Sequence, residues 1–332
     1  MKRRAVFRKV QAMPLHRRRF LQASAAAAAF PARALAQAFP AKPIRFVCGF
    51  APGTPPDIVA RFVAASMSER IGQQVFVDNR SGSGANVATS QFRRAEPDGY
   101  NIMLVVATTT INQTLYPGLD FNIATDYQPV TALLRVANVL VVHPSVPAKT
   151  LPELIDYSKK NPGKLNMASG GNGSSPHISG EMFKMMTGVD WVHVPYASNY
   201  FPDLVAGQLQ VVFSAIPGVA GFIRQNQLRA LAVATEKRWD TMPDVPAVAE
   251  FVPGYENSGW YGIVAPKGTP EALVQWLHKE LNAAVADPKV TARLPDLGMA
   301  PFVSTPAAFG KFIGDEVDKY AKIIKAANIR VL

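Results

Sequence analysis

Cysteine is almost missing. Cys48 stands alone in 332 residues, so no disulfide within the chain can staple the fold. It sits in the apolar, strand-like run Pro43–Gly49 and reads as a buried structural thiol, too far past any small-residue cleavage box to carry a lipid. Apolar runs of the ~18 to 20 residues needed to span a bilayer are also absent. Charged residues are only 18% of the chain against 48% hydrophobic, a balance that excludes a disordered protein. The five histidines form no H-x-x-x-H pair, so neither a metal nor another cofactor is expected. Nucleotide loops fail in detail: no G-x-x-x-x-G-K-[ST] occurs, and Gly171-x-Gly173 meets Pro176 where G-x-G-x-x-G needs its last glycine. The G-x-S-x-G elbow of serine hydrolases is missing as well.

Positive charge is scarce once its location is considered. The formal charge is +11, yet residues 1–36 hold nine Lys or Arg and no Asp or Glu. Subtracting those nine leaves about +2, too little for a surface that tracks phosphates, and no nucleic-acid partner is expected. The leader has the parts of an export signal. Arg17-Arg18-Arg19-Phe20-Leu21 has twin-arginine form, Ala23–Phe30 is a short apolar core, and Ala34-Leu35-Ala36 is a cleavage box. Residues 1–36 are therefore expected to be removed, leaving a periplasmic protein.

The remainder is long for one core, and two domains are expected. Short apolar runs at Ile44–Phe50, Gln74–Val77, Ile102–Ala107, Val139–Val142 and Val211–Ser214 have strand length and β-branched content. Helix-period stretches lie between several of them, which argues for α/β layers with largely parallel sheets. Leu273–Val285 and Phe309–Ile324 each read as one amphipathic helix. Thr at the N-cap with Pro in the first turn recurs at expected helix starts (Thr54, Thr150, Thr269, Thr305), with an acid at N3 after the first two, where a capping box can close.

The segment Ala168–Phe183 concentrates the functional signal. A short strand ends at Ala168, the chain turns through Gly170, Gly171, Asn172 and Gly173, and Ser174 or Ser175 can cap a helix with Pro176 in its first turn. The first N–H groups of a helix lack partners inside it, so this end can hold an anion. The dipole supplies only about 0.3–2 kcal/mol, so hydroxyls and a second wall must contribute. His177 is too close along the turn to serve Ser174 or Ser175 as a base. The loop Phe50–Asp57 has the same strand–loop–helix form. Two such corners facing one cleft would take a small acid; two unrelated capped helices fit the same residues.

From Ala41 onward the chain resembles the Bug, or TctC-like, family of periplasmic solute-binding proteins of tripartite tricarboxylate transporters. The resemblance is carried by Phe50-Ala51-Pro52-Gly53 with Asp57, Asp78-Asn79-Arg80-Ser81-Gly82, Pro97-Asp98-Gly99-Tyr100, Gly171-Asn172-Gly173-Ser174-Ser175-Pro176-His177, His193-Val194-Pro195-Tyr196 and Ala265-Pro266-Lys267-Gly268-Thr269-Pro270. It implies an α/β type II periplasmic-binding-protein fold, with residues 38–140 plus 263–332 as one domain, 141–262 as the other, and a ligand cleft between. The implied partners are a small organic acid and, transiently, membrane transporter subunits; a monomer without catalytic activity is expected. Carried over by position, the contacts are Phe50, Ala51, Gly53, Thr54, Asp57, Thr108 and Thr109 from the first domain. The second contributes Ser169, Gly171, Asn172, Gly173, Ser174, Ser175, His177, Tyr196 and Ala197.

Departures from the family pattern bear on the ligand. Pro55-Pro56 follow Gly53-Thr54 where a second glycine is usual, removing two N–H donors. Ala197-Ser198-Asn199-Tyr200-Phe201 replaces a basic residue and glycine, and is expected to bring Tyr200 and Phe201 into the pocket. A ligand less hydrophilic than citrate, an aromatic or alkyl carboxylate, follows. A secreted serine hydrolase and a ligand-presenting subunit for a histidine kinase are the alternative readings.

Overall fold

The computed structural model describes residues 39–196 and 199–330. The expected export signal, residues 1–36, and Ala197 lie outside those residues. Compactness divides the chain at Ala41/Lys42, and the architecture below belongs to the unit Lys42–Leu332.

Two mixed sheets form the frame. The first contains β1 (Ile44–Cys48), β2 (Val75–Asn79), β3 (Asn101–Val106), β4 (Tyr127–Val136), β10 (Gly259–Pro266) and β11 (Met299–Pro301), in the order β11-β4-β10-β3-β1-β2. The second contains β5 (Asn138–Val142), β6 (Leu165–Ser169), β7 (Trp191–Pro195), β8 (Val211–Ala215) and β9 (Arg229–Val233), in the order β7-β6-β8-β5-β9. The expectation of largely parallel sheets is corrected. Parallel pairing is confined to β1 with β2 and β3, and to β6 with β7 and β8; β10, β4, β11, β5 and β9 pair antiparallel. Strands that return from the other half of the chain arrive in the reverse direction, which local periodicity does not encode.

Ten helices cover these sheets among the described residues: α1 (Pro55–Ile71), α2 (Asn86–Phe92), α3 (Ala107–Leu115), α4 (Leu151–Lys160), α5 (Ser175–Thr187), α6 (Phe201–Val205), α7 (Ile216–Arg224), α8 (Glu271–Val285), α9 (Pro288–Thr291) and α10 (Pro306–Ala326). α10 shows why such a segment is helical and what it binds. Thr305 accepts the Ala308 amide at 3.2 Å, and Pro306 fits the first turn. Phe309, Ile313, Tyr320, Ile323 and Ile324 then bury one stripe. Full burial of side chains this size contributes about 1.5–3 kcal/mol each. The lower end of that stripe joins Ile111 and Leu115 of α3 to Met167, Phe183, Trp191 and Phe213 in a single core. The second sheet therefore completes its core with helices that sequence order assigns to the first.

The chain changes sheet at Ala137, between β4 and β5, and returns before Gly259. The expected changeovers at 140/141 and 262/263 fall inside β5 and β10. The two crossing segments run side by side: Asn138 Nδ2 donates to Asn257 O at 3.4 Å, the Asn257 amide to Ala234 O at 3.0 Å, and Gly259 pairs with Val136. Cys48 is fully buried in β1, and burial raises its thiol pKa.

Candidate functional site

Three chain corners converge near these crossings. The first is the loop after β1, organised by Asp57, which is buried to 1% exposure in the first turn of α1. Its Oδ2 accepts the Gly53 amide at 2.8 Å and Arg61 Nε at 3.0 Å; its Oδ1 accepts Asn79 Nδ2 at 2.8 Å. Burial works to raise this carboxyl, but the bonds from Arg61, Gly53 and Asn79 outweigh it and hold the group below its ordinary range. Asp57 is thus an ionised clamp on the loop, its oxygens already engaged. Thr54 makes no helix-cap bond and instead donates to Ala51 O at 2.7 Å. The reason is local: Pro55 and Pro56 occupy the first turn, and Pro56 removes one amide a cap could serve. Ala51 and Gly53 are exposed.

The second corner joins β3 to α3. Thr109 is buried and accepts the Val106 amide at 3.4 Å, so it caps the helix. Its neighbour Thr108 is half-buried and faces the cavity described below.

The third is the glycine loop between β6 and α5. Ser169 is fully buried; its hydroxyl lies 2.6 Å from His193 Nε2 and accepts the Gly171 amide at 3.2 Å. Gly173 donates its amide to His177 Nδ1 at 3.1 Å, and Ser174 donates its own to Gly171 O at 3.2 Å. Glycine is required where φ reaches 104° at Gly171 and 75° at Gly173. The amides of Gly171 and Gly173 are therefore spent on the loop. Ser174 is the N-cap of α5, yet its side chain caps nothing, and its buried Oγ has no hydrogen-bond partner among the described residues. Ser175 accepts from Asn138 Nδ2 at 3.1 Å. Asn172 is half-buried, and Tyr196 donates its hydroxyl to the Asp203 carboxylate.

A cavity of about 170 Å³ lies where the corners meet. Of the expected contacts, Phe50, Thr108 and Ser175 line it, together with Pro56, Val106, Asn138, Trp260 and Tyr261, and no lysine, arginine or histidine borders it. Asn138, Trp260 and Tyr261 escaped sequence reasoning because they sit at the crossings rather than in a loop motif. The one available signal was a polar Asn138 opening the apolar run Val139–Val142. Tyr200 and Phe201, expected in the pocket, pack instead with Phe222 against the core around Leu204 and Val219. Their run forms α6, which turns both rings inward. A larger hollow of about 320 Å³, between Arg238–Thr241 and Thr291–Pro301, contains none of the expected residues, and its Arg238 is committed to Glu250.

Two α/β lobes joined by paired crossings, with helix starts beside a cavity at the junction, define the fold of periplasmic binding proteins. The chain belongs to the tripartite tricarboxylate transporter family receptor (TctC) family, whose profile matches residues 59–329. It is 30% identical to protein BugT of Bordetella pertussis over 311 residues, covering 92% of this chain and 95% of BugT. Among solved structures, Rpa4515 of R. palustris with adipate is 32% identical, with a TM-score of 0.74 over 89% of this chain and 100% of that one. MatC from Rhodopseudomonas palustris with bound malate is 28% identical, with a TM-score of 0.70 over 86% of this chain and 100% of that one.

Proposed function

We propose that this protein is a periplasmic receptor that captures a small carboxylate-bearing organic acid, less polar than citrate, for a tripartite tricarboxylate-type transporter. The observation that carries the reading is the unpartnered Ser174 hydroxyl at the start of α5, beside the cavity-lining Ser175. A buried hydroxyl without a partner costs about 1–3 kcal/mol, and an anion at the helix N-terminus would recover that cost while using the first-turn amides. The opposite wall supplies less polarity. Gly53 and Thr54 spend their amides on Asp57 and Ala51, and Pro55 and Pro56 have none. Phe50, Pro56, Val106 and Trp260 make the remainder of the lining mostly apolar, which favours an alkyl or aromatic body bearing one carboxylate. The adipate and malate seen in the two relatives support an organic acid as the class.

In this reading the contacts are Phe50, Thr108, Ser174 and Ser175 with Asn138. Asp57, Thr109, Ser169, Gly171, Gly173 and His177 shape the loops, and the lobes close about the crossings at Ala137 and Ser258. The protein acts as an exported monomer, relieved of residues 1–36, and returns its ligand unchanged. The contact between Ser169 and His193 has the form of half a hydrolase triad, but the Ser169 hydroxyl already holds the Gly171 amide, and no carboxylate orients His193 among the described residues. Native mass spectrometry of freshly purified protein, followed by a thermal-shift panel of mono-, di- and aromatic carboxylates, tests the assignment. A co-purifying organic acid, or stabilisation by monocarboxylates above that by citrate, supports it. Citrate outranking every monocarboxylate would overturn the ligand class.

A further inference from the structure

His177 and His193 come from different elements, α5 and β7, yet their rings lie parallel, 3.7 Å between centroids and 6° between planes. Each holds one end of the glycine loop. His177 Nδ1 accepts the Gly173 amide, which fixes its proton on Nε2, because a neutral imidazole has a single acceptor nitrogen. His193 Nε2 contacts the Ser169 hydroxyl, which accepts the Gly171 amide, and the Ser169 carbonyl accepts the Tyr196 amide at 3.0 Å. The charged groups facing the pair are Glu181 and Lys184, both on α5 and 3.0 Å apart. Apart from His193 itself, β6, β7, β8 and α3 contribute no titratable side chain, and α10, which also packs against α5, carries Glu316 and Lys319 paired with each other. Burial first, then the mutual effect of the rings and Lys184, pushes His177 down to about 3. Burial and Lys184 push His193 down to about 4. A protonated His177 could no longer accept from Gly173, and a charge on one ring would disfavour a charge on the other 3.7 Å away.

We propose that His177 and His193 are positioning residues that act as one stacked, neutral unit, aligning the glycine loop and the start of α5 for the ligand, so that ligand affinity depends on both rings staying uncharged. The proposal rests on the carboxylate reading above. Neither ring borders the cavity; both act through backbone amides, Ser169 and the loop. The pair differs from an ordinary packed aromatic contact in one respect: the nitrogen atoms matter as well as the ring faces.

Paired variants separate those contributions. His177→Phe and His193→Phe keep a flat ring for stacking but remove the nitrogen, whereas His177→Asn keeps an acceptor near Nδ1 and gives up the stack. Adipate serves as the titration probe, and hydrogen exchange of the Gly171 and Gly173 amides is read without any ligand. The proposal expects both Phe variants to fold, to lose protection at their own glycine and to weaken adipate binding about tenfold, the worth of one well-made hydrogen bond. His177→Asn is expected to restore Gly173 protection and to bind adipate more tightly than His177→Phe, its remaining loss measuring the stack. Affinity of the unaltered protein, expressed for the ionised form of adipate, should stay flat from pH 8 to about pH 5 and fall below that as the first ring charges. Benign Phe variants with a damaged Asn variant would overturn the proposal in favour of simple packing. If the unaltered protein binds no adipate and no other carboxylate, the carboxylate reading fails, while amide exchange in the same variants still decides the positioning role.

Discussion

Gly173 and Leu115 meet where the glycine loop rests on α3: a Cβ placed on Gly173 would lie 2.1 Å from Leu115 Cδ2. The loop of the second lobe is thus seated directly on a helix that begins beside the cavity in the first. Gly173→Ala should lower stability by about 1–3 kcal/mol, combining left-handed backbone strain with overpacking. Leu115→Ala alone should cost about 2–5 kcal/mol as a core truncation, but the double variant should lose less than the sum, because the overpacking is relieved and only the strain remains. Urea unfolding of the single and double variants measures this, and additive losses would contradict the contact.

Ser174→Ala should separate stability from binding. Removing a hydroxyl that has no partner should leave the melting temperature unchanged or raise it slightly. Affinity for the ligand should fall by about threefold to tenfold, one net hydrogen bond. Thermal unfolding and calorimetric titration of the same preparation check both halves.

Asp57→Ala should be costly for a different reason. It frees the Gly53 amide, Asn79 and Arg61 together. Arg61 is half exposed, which reduces the electrostatic share, so a loss of about 2–3 kcal/mol is expected. Limited proteolysis should then cut first within residues 50–56.

Stability should decline in acid well before the carboxylates titrate. His177 and His193 are held at about 3 and about 4 in the folded protein, against an ordinary value of 6.5. Below about pH 6.5 the unfolded chain takes up protons that the folded form refuses. The contribution is therefore complete above that pH and is lost progressively as pH falls toward the folded values, by at most about 1.4 kcal/mol per pH unit for each histidine. Asp57, whose pKa is depressed, adds its own loss only below about pH 4. Urea midpoints between pH 8 and pH 4.5 should show the histidine slope, reduced in His177→Asn.

Much of the frame was legible in local sequence. β1, β3, β5 and β8 sit where apolar, β-branched runs placed them, and α8 and α10 follow their apolar stripes. Thr150 and Thr305 cap as their spacing to Pro indicated. Thr269 does not: its hydroxyl donates to Pro266 O at 2.8 Å, and α8 begins only at Glu271. The same side chain can bond backward or forward, and the three-residue motif does not distinguish the two. At the site, the strand–glycine loop–helix form was readable, but the use of its amides was not. Gly171 is turned onto its own loop by Ser169 with His193, residues 24 apart that meet because β6 and β7 pair in register, and Gly173 by His177. Asn138 and Trp260 reach the cavity through crossings more than 100 residues apart, a distance no local pattern encodes.

The central claim is that a carboxylate sits at the start of α5. Calorimetric titration of the protein with hexanoate and benzoate, each against its own amide, tests this directly because each pair shares nearly the same shape and differs in charge. The account predicts saturable binding of at least one acid and binding at least about tenfold weaker for its amide, since hydrogen bonds to a charged group are worth about 1.5–3 kcal/mol. Equal binding of acid and amide, or binding of none of hexanoate, benzoate and adipate, would contradict it.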